Sequence, residues 1–183
     1  MHRIEERMFE RDREVRQFRE TVKRELEDLI EDMLYTEKSH FAHAQNYAGV
    51  NLGLGLTSTV AATVAAATVV ADRAPTITAV AALIAAITSG LLTFLTPRDV
   101  EQRHLDAARR LNALRVKARE VIRLDLSGVI AHKPQALRDL VREIATEKAK
   151  VDREAPATSD RAFKRARSKI QAGHFDHVSD QNE

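Results

Sequence analysis

The sequence predicts an all-α fold: a two-helix transmembrane hairpin flanked by long amphipathic cytoplasmic helices. Three observations predict it. Although 31% of the 183 residues are charged, only Asp72 and Arg73 carry formal charge between Ser39 and Pro97. The short Asp72-Arg73-Ala74-Pro75 break divides this stretch into two uncharged runs, 39–71 and 74–97. Each exceeds the roughly 20 residues with which a helix crosses a hydrocarbon core of about 30 Å. Outside the stretch, apolar residues recur three and four apart, the helical period, and no segment reads as a strand. The negative mean hydropathy of the whole chain arises because polar flanks dilute an apolar centre.

Length and composition bound the answer further. A chain of 183 residues is expected to be one compact unit or one elaborated membrane module rather than several domains. The absence of cysteine excludes disulfide scaffolds, thiolate metal sites and cysteine nucleophiles. Residues 1–46 hold nine Lys and Arg against twelve Asp and Glu, whereas residues 97–183 hold nineteen against fourteen. Arms of opposite sign favour pairing, within one chain or between copies. The start, Met1-His2-Arg3-Ile4-Glu5-Glu6, is too charged for a secretory leader. Aromatic residues make up 4% of the chain and tryptophan is absent, which argues against a base-stacking platform, so no nucleic acid is expected as partner.

The elements follow in order. Residues 1–46 form an N-terminal amphipathic arm, striped by Ile4, Met8, Val15, Phe18, Val22, Leu26, Leu29, Ile30 and Met33, with Arg11 and Glu25 interrupting a strict heptad. Charged residues such as Glu10, Arg13, Glu20, Arg24 and Glu27 fill its other faces, partly as helix-neighbour pairs. The hairpin occupies 47–96. Its first span, 47–70, is rich in Ala, Thr, Gly and Val, so its insertion free energy is marginal. Its second span, 76–96, is greasier and carries Ile77, Leu83, Ile84, Ile87, Leu91, Phe94 and Leu95. Arg98, Arg103, Arg109, Arg110 and Arg115 crowd the exit of the second span, while Arg73 stands alone in the turn. Positive flanks stay cytoplasmic. The expected location is therefore the plasma membrane, multi-pass, with both termini inside.

Residues 97–151 resume amphipathic helix, striped by Leu105, Ala108, Leu111, Leu114, Ala118 and Val121, fading near Ser127-Gly128. Pro134 opens a further helix striped by Leu137, Val141 and Ile144. Residues 152–160, with Pro156, read as a linker. Asp160 then caps a basic helix within 161–183 whose end, from Gly173, frays.

Within the spans, small residues align. Gly49 and Gly53 form a GxxxG pair that Thr57, Ala61 and Ala65 extend; Thr78, Ala82, Ala86 and Gly90 do the same on the second span. In lipid, helices associate through close backbone approach, which such side chains permit, either inside the hairpin or between subunits. Asn51, Thr59 and Thr63 lie on nearby turns of the first span. They are the pore-lining candidates, since an uncharged hydrogen-bonding face suits a wetted path, and enclosing one requires several copies. His40, His43, Arg98 and Arg103 fall at the membrane interface.

A rival reading rests on Glu37-Lys38-Ser39-His40 and Glu101-Gln102-Arg103-His104, both ExxH. Di-metal bundles pair two such motifs with further carboxylates from two other helices. No source of those carboxylates stands at matching depth, so no metal and no cofactor is expected. No phosphate-binding Gly-rich loop and no nucleophile turn occurs, and catalytic residues are expected to be absent. The basic tail around Lys164, Arg165, Arg167 and Lys169 reads first as a solvated helix and second as a contact for anionic lipid or nucleic acid.

The run Lys38-Ser39-His40-Phe41-Ala42-His43-Ala44 before an Ala-rich span, the segment Ser89-Gly90-Leu91-Leu92-Thr93-Phe94-Leu95 that ends the second, and the helix His104-Leu105-Asp106-Ala107-Ala108-Arg109-Arg110-Leu111-Asn112-Ala113-Leu114 together resemble a SLATT domain. So does the Glu154-Ala155-Pro156 break. The resemblance covers about residues 25–172 and rests on diffuse patterns. It implies a membrane effector of a bacterial antiviral or conflict system that oligomerises into pores. It also implies control by a partner, often a nucleotide second-messenger synthetase or a nucleotide-sensing protein. It supplies no catalytic residues. The expected partners are thus the bilayer, further copies of the chain and such a signalling protein. The alternatives are a membrane-bound di-metal oxidoreductase using Glu37, His40, Glu101 and His104, and a non-enzymatic helical scaffold.

Overall fold

A computed structural model describes residues 2–71, 74–126 and 133–173. The Asp72-Arg73 turn, the fading of helix at Ser127-Gly128 and the tail from residue 174 lie outside the described residues, as do the side chains of Ile4 and Met8. The described chain is all-α: α1 (His2–Val70), α2 (Pro75–Leu95), α3 (Pro97–Glu120), a π-helical turn (Val121–Asp125), α4 (Pro134–Glu154) and α5 (Asp160–Gln171).

The N-terminal arm and the first apolar segment, expected as separate elements, are one helix of 69 residues. No proline interrupts it, and isolated glycines such as Gly49 and Gly53 cost only about 1 kcal/mol each in a helix. Proline supplies the punctuation elsewhere. Pro75, Pro97 and Pro134 each stand at the first position of a helix, where the missing N–H is not needed. Ala74 and Thr96, the residues before two of these prolines, are left-handed, with φ of 51° and 39°. Both are non-glycine residues, for which that region costs about 1–2 kcal/mol. The Thr96 N–H still closes α2 by donating to Leu92 O at 3.2 Å.

The chain divides into two compact units, Met1–His40 with Asp106–Glu183, and Phe41–Leu105. The first is a helical bundle. Val22, Leu26 and Met33 of α1, Ala107, Leu111 and Ala118 of α3, Val121 and Leu126 of the π segment, and Leu137, Ile144 and Val151 of α4 make one buried cluster. The α4 contribution repeats every seven residues, the spacing of a seam rather than a broad face. α5 adds Ala162 and Ala166. Its expected cap differs: Ser159 is the N-cap, and Asp160 lies inside the first turn, where a carboxylate complements the helix dipole. Ala155, extended before Pro156, ends α4.

The second unit contains the later part of α1, all of α2 and the start of α3. Its order is the hairpin that carries the uncharged segments.

Candidate functional site

α1 and α2 meet along a seam of small and hydroxylated residues. On α1 the less exposed positions of the apolar segment include Asn51, Leu54, Ser58, Ala61, Ala65 and Thr68; on α2 they include Thr78, Ala81, Ala85, Thr88 and Leu92. Both sets alternate steps of three and four, so each helix presents a narrow stripe to the other. Across the seam, the Ser58 and Ser89 hydroxyls lie 2.8 Å apart, and Thr78 Oγ1 donates to Thr68 Oγ1 at 2.7 Å. Thr88 donates to Ile84 O of its own helix. Such bonds leave no hydroxyl unsatisfied at a close helix approach.

The expected packing residues therefore divide. Ala61 and Ala65 lie on the seam, whereas Gly49, Gly53 and Thr57 of α1 and Ala82 and Ala86 of α2 are exposed, and Gly90 is half-buried. A Cβ placed at Gly49, Gly53, Gly55 or Gly90 would meet nothing within 4 Å. The GxxxG pair does not mediate contact inside the hairpin. The drift explains this: a four-residue repeat rotates about 40° per step around a helix of 3.6 residues per turn, so Gly49 and Ala61 end on different faces.

Among the pore candidates, Asn51 is half-buried on the seam stripe, while Thr59 and Thr63 are exposed. Thr59 donates to Gly55 O at 2.9 Å and Thr63 to Thr59 O at 2.8 Å, both within α1. Hydroxyls so engaged with their own helix are masked as donors, and their lone pairs remain available as acceptors.

The outer face of the hairpin is apolar and uncovered. Leu52 (71% exposed), Leu56, Val60, Leu83, Ile87 and Phe94 (88%) all stand outward. In the most apolar windows of the two apolar helices, only 6% and 11% is buried, and both helices are long and apolar enough to cross a membrane. In the other unit of the same chain, Leu26, Met33, Leu111, Leu137 and Ile144 are fully buried.

At the base of the hairpin the His43 and His104 rings stack, 4.8 Å apart and 10° from parallel, with Tyr47 6.0 Å from His104. His104 is buried, and burial lowers the pKa of His43 from its usual value, favouring the neutral ring. Arg98 and Arg103 of α3 are exposed. His40 is buried in the helical bundle.

Glu37 of the first ExxH motif meets other partners. Glu37, buried, accepts from Arg115 Nε at 2.9 Å on one oxygen and from Lys38 Nζ at 2.7 Å on the other. Arg115 also donates to Asn112 Oδ1 at 2.9 Å. A carboxylate held by two cations is a poor metal ligand, and among the described residues no group of three or more His, Asp or Glu is arranged to hold a metal ion. The Glu37–Arg115 pair was not foreseen from the sequence; its signal was a single acid between the stripe residue Met33 and the uncharged run.

No protein-family model matches the chain, and comparisons with curated proteins and with solved structures give no match.

Proposed function

We propose that this chain is an integral membrane protein of the SLATT type, an effector that oligomerises and opens pores in the plasma membrane of a bacterium under attack. The observation that carries the membrane reading is the contrast within one molecule. The same chain buries its large aliphatic side chains in the helical bundle and leaves Leu52, Leu83, Ile87 and Phe94 bare on the hairpin. At about 25 cal/mol per Å² of apolar surface, a face of that kind in water is costly, and in lipid it is at rest.

The pore reading draws on the two faces of the spans. The seam between α1 and α2 uses one stripe, and the Gly49-Gly53 side is open to another helix. Contact between copies along that side brings backbones close and places exposed Thr59 and Thr63 beside a shared path. One hairpin cannot enclose water, so conduction belongs to the assembly. The arginines that follow α2 argue for both termini in the cytoplasm, although Arg115 and Arg110 are themselves paired with Glu37 and Glu154. This reading assigns no catalytic chemistry, and the signal comes from a nucleotide-producing or nucleotide-sensing partner.

The test is ion flux from liposomes loaded with purified protein, alongside crosslinking of the reconstituted oligomer. Flux that rises with protein density and falls in Gly53→Leu supports the pore. Release of the protein from native membranes by alkaline carbonate would instead favour a peripheral helical scaffold.

A further inference from the structure

We propose that a cleft in the helical bundle, between the N-terminal part of α1 and the π-helical turn, binds a phosphate-bearing small molecule. The cavity is about 390 Å³ and is lined by Arg16, Arg19, Glu20, Lys23, Ile122 and Leu126. That volume lies within the range of small-ligand sites.

Its chemistry is set by three cations on one helical face. Arg16, Arg19 and Lys23 are spaced three and four apart on α1, so they project along one side. Among the described residues neither guanidinium is paired with a carboxylate: Arg16 Nε donates to the Asp12 carbonyl at 3.3 Å, and Arg19 Nη2 donates to the Leu126 carbonyl. Lys23 stands 3.7 Å from Glu27, a loose and half-exposed pair.

The opposite wall explains the position of Arg19. In the π-helical turn the Leu126 N–H reaches back to Val121 O at 3.0 Å, five residues away. The widened turn carries the Leu126 carbonyl to Arg19, which anchors one end of that guanidinium across the cleft. Such turns recur at functional sites. A guanidinium has five N–H donors, so the anchored side chain still presents donors inward.

The lining specifies a ligand class. Three cations and one carboxylate leave two net positive charges, matching a phosphate dianion. Ile122 and Leu126 offer an apolar wall for a flat or aliphatic portion, and Glu20 accepts from a hydroxyl or amino group. A nucleotide has all three parts. A phosphate on a lipid headgroup shares the anionic chemistry, so the source needs its own arm in the test. The inference deepens the proposed function by giving a nucleotide signal a place to act, and its measurement reads binding, which stands whether or not the hairpin conducts.

The experiment uses the full chain in phosphatidylcholine nanodiscs, titrated calorimetrically with inorganic pyrophosphate and with AMP. Saturable binding is expected, weakened about tenfold or more by Arg16→Gln and again by Arg19→Gln, with Arg16→Lys retaining part of it. Lys164→Gln, on the exposed face of α5, leaves it unchanged. Unaltered helical circular dichroism in each variant separates lost binding from lost fold. In discs containing phosphatidylglycerol at the same ionic strength, a drop in apparent pyrophosphate affinity that vanishes in Arg16→Gln identifies the lipid headgroup as the occupant. Unchanged affinity identifies the soluble ligand. Absence of saturable binding to either probe in either lipid, or equal losses in Arg16→Gln and Lys164→Gln, would overturn the site.

Discussion

Glu37 and Arg115 put two opposite charges inside the helical bundle, where their side chains are 2% and 10% exposed. Burying one without the other leaves an uncompensated charge in a medium that solvates it poorly. Glu37→Ala is expected to destabilise the bundle by about 3–5 kcal/mol, whereas the double replacement Glu37→Leu with Arg115→Met falls near neutral. Chemical unfolding of the detergent-solubilised protein measures both. His43 makes a second prediction. Burial lowers its pKa below the ordinary 6.5, so the folded state favours the neutral ring. Its contribution to stability is complete above pH 6.5 and is lost as pH falls through the folded value. Melting midpoints should therefore drop between pH 7.5 and pH 5, and His43→Gln should flatten that slope.

Each helix boundary and each seam is a separate commitment of the sequence. Pro134 was legible as a helix start because proline suits a first turn, and α2 begins within a residue of the expected position 76. The left-handed Ala74 and Thr96 were not legible, since neither residue type announces a positive φ. Thr96→Gly should relieve strain and stabilise the protein by about 1 kcal/mol, read as a raised melting temperature. Of the small-residue repeat on α1, only Ala61 and Ala65 fall on the seam inside the hairpin, because four-residue spacing looks like a stripe while slowly rotating. The stripes the structure uses, such as Thr78, Ala81, Ala85 and Thr88, alternate three and four, a pattern present in the sequence beside the one that was singled out. This gives a paired test. Ala81→Leu, on the buried seam, should overpack it at a cost of about 1–3 kcal/mol and loosen the hairpin. Gly53→Leu meets open space and improves helix propensity, so it leaves the hairpin intact and reduces only association between copies. Intramolecular and intermolecular crosslinks distinguish the two.

For the molecule as a whole, the charge pattern carried most of the fold. A stretch with two charges in an otherwise charged chain fixed where the apolar helices lie, and helical spacing fixed the class. The bundle was half visible: Leu26, Met33, Leu111, Leu137 and Ile144 all belong to stripes read from periodicity and are all fully buried. What periodicity cannot supply is the pairing of stripes distant in the chain, so the Glu37–Arg115 pair and the cleft between α1 and the π-helical turn emerged only in three dimensions. The π turn itself, five residues long and closed by a bond from Leu126 N–H to Val121 O, leaves no compositional trace. At this scale the expected outcome is that the protein stays with the membrane pellet through alkaline carbonate, measured by immunoblot of the two fractions.

The prolines that bracket α2 have a consequence for the bilayer itself. A 21-residue helix is about 31 Å long, close to the thickness of a typical hydrocarbon core. Helices usually adjust to a thicker or thinner membrane by recruiting or releasing a turn at their ends. α2 has no such slack, because Ala74 and Thr96 take left-handed backbone angles immediately outside it. It is a gauge of fixed length. In the proposed membrane-spanning arrangement, a bilayer thinner or thicker than that gauge would tilt the hairpin or deform around it, at a modest cost for each ångström of mismatch. In that arrangement lipid chain length becomes a control variable, and reconstitution into a graded series of acyl chains is expected to show an optimum in ion flux rather than a plateau.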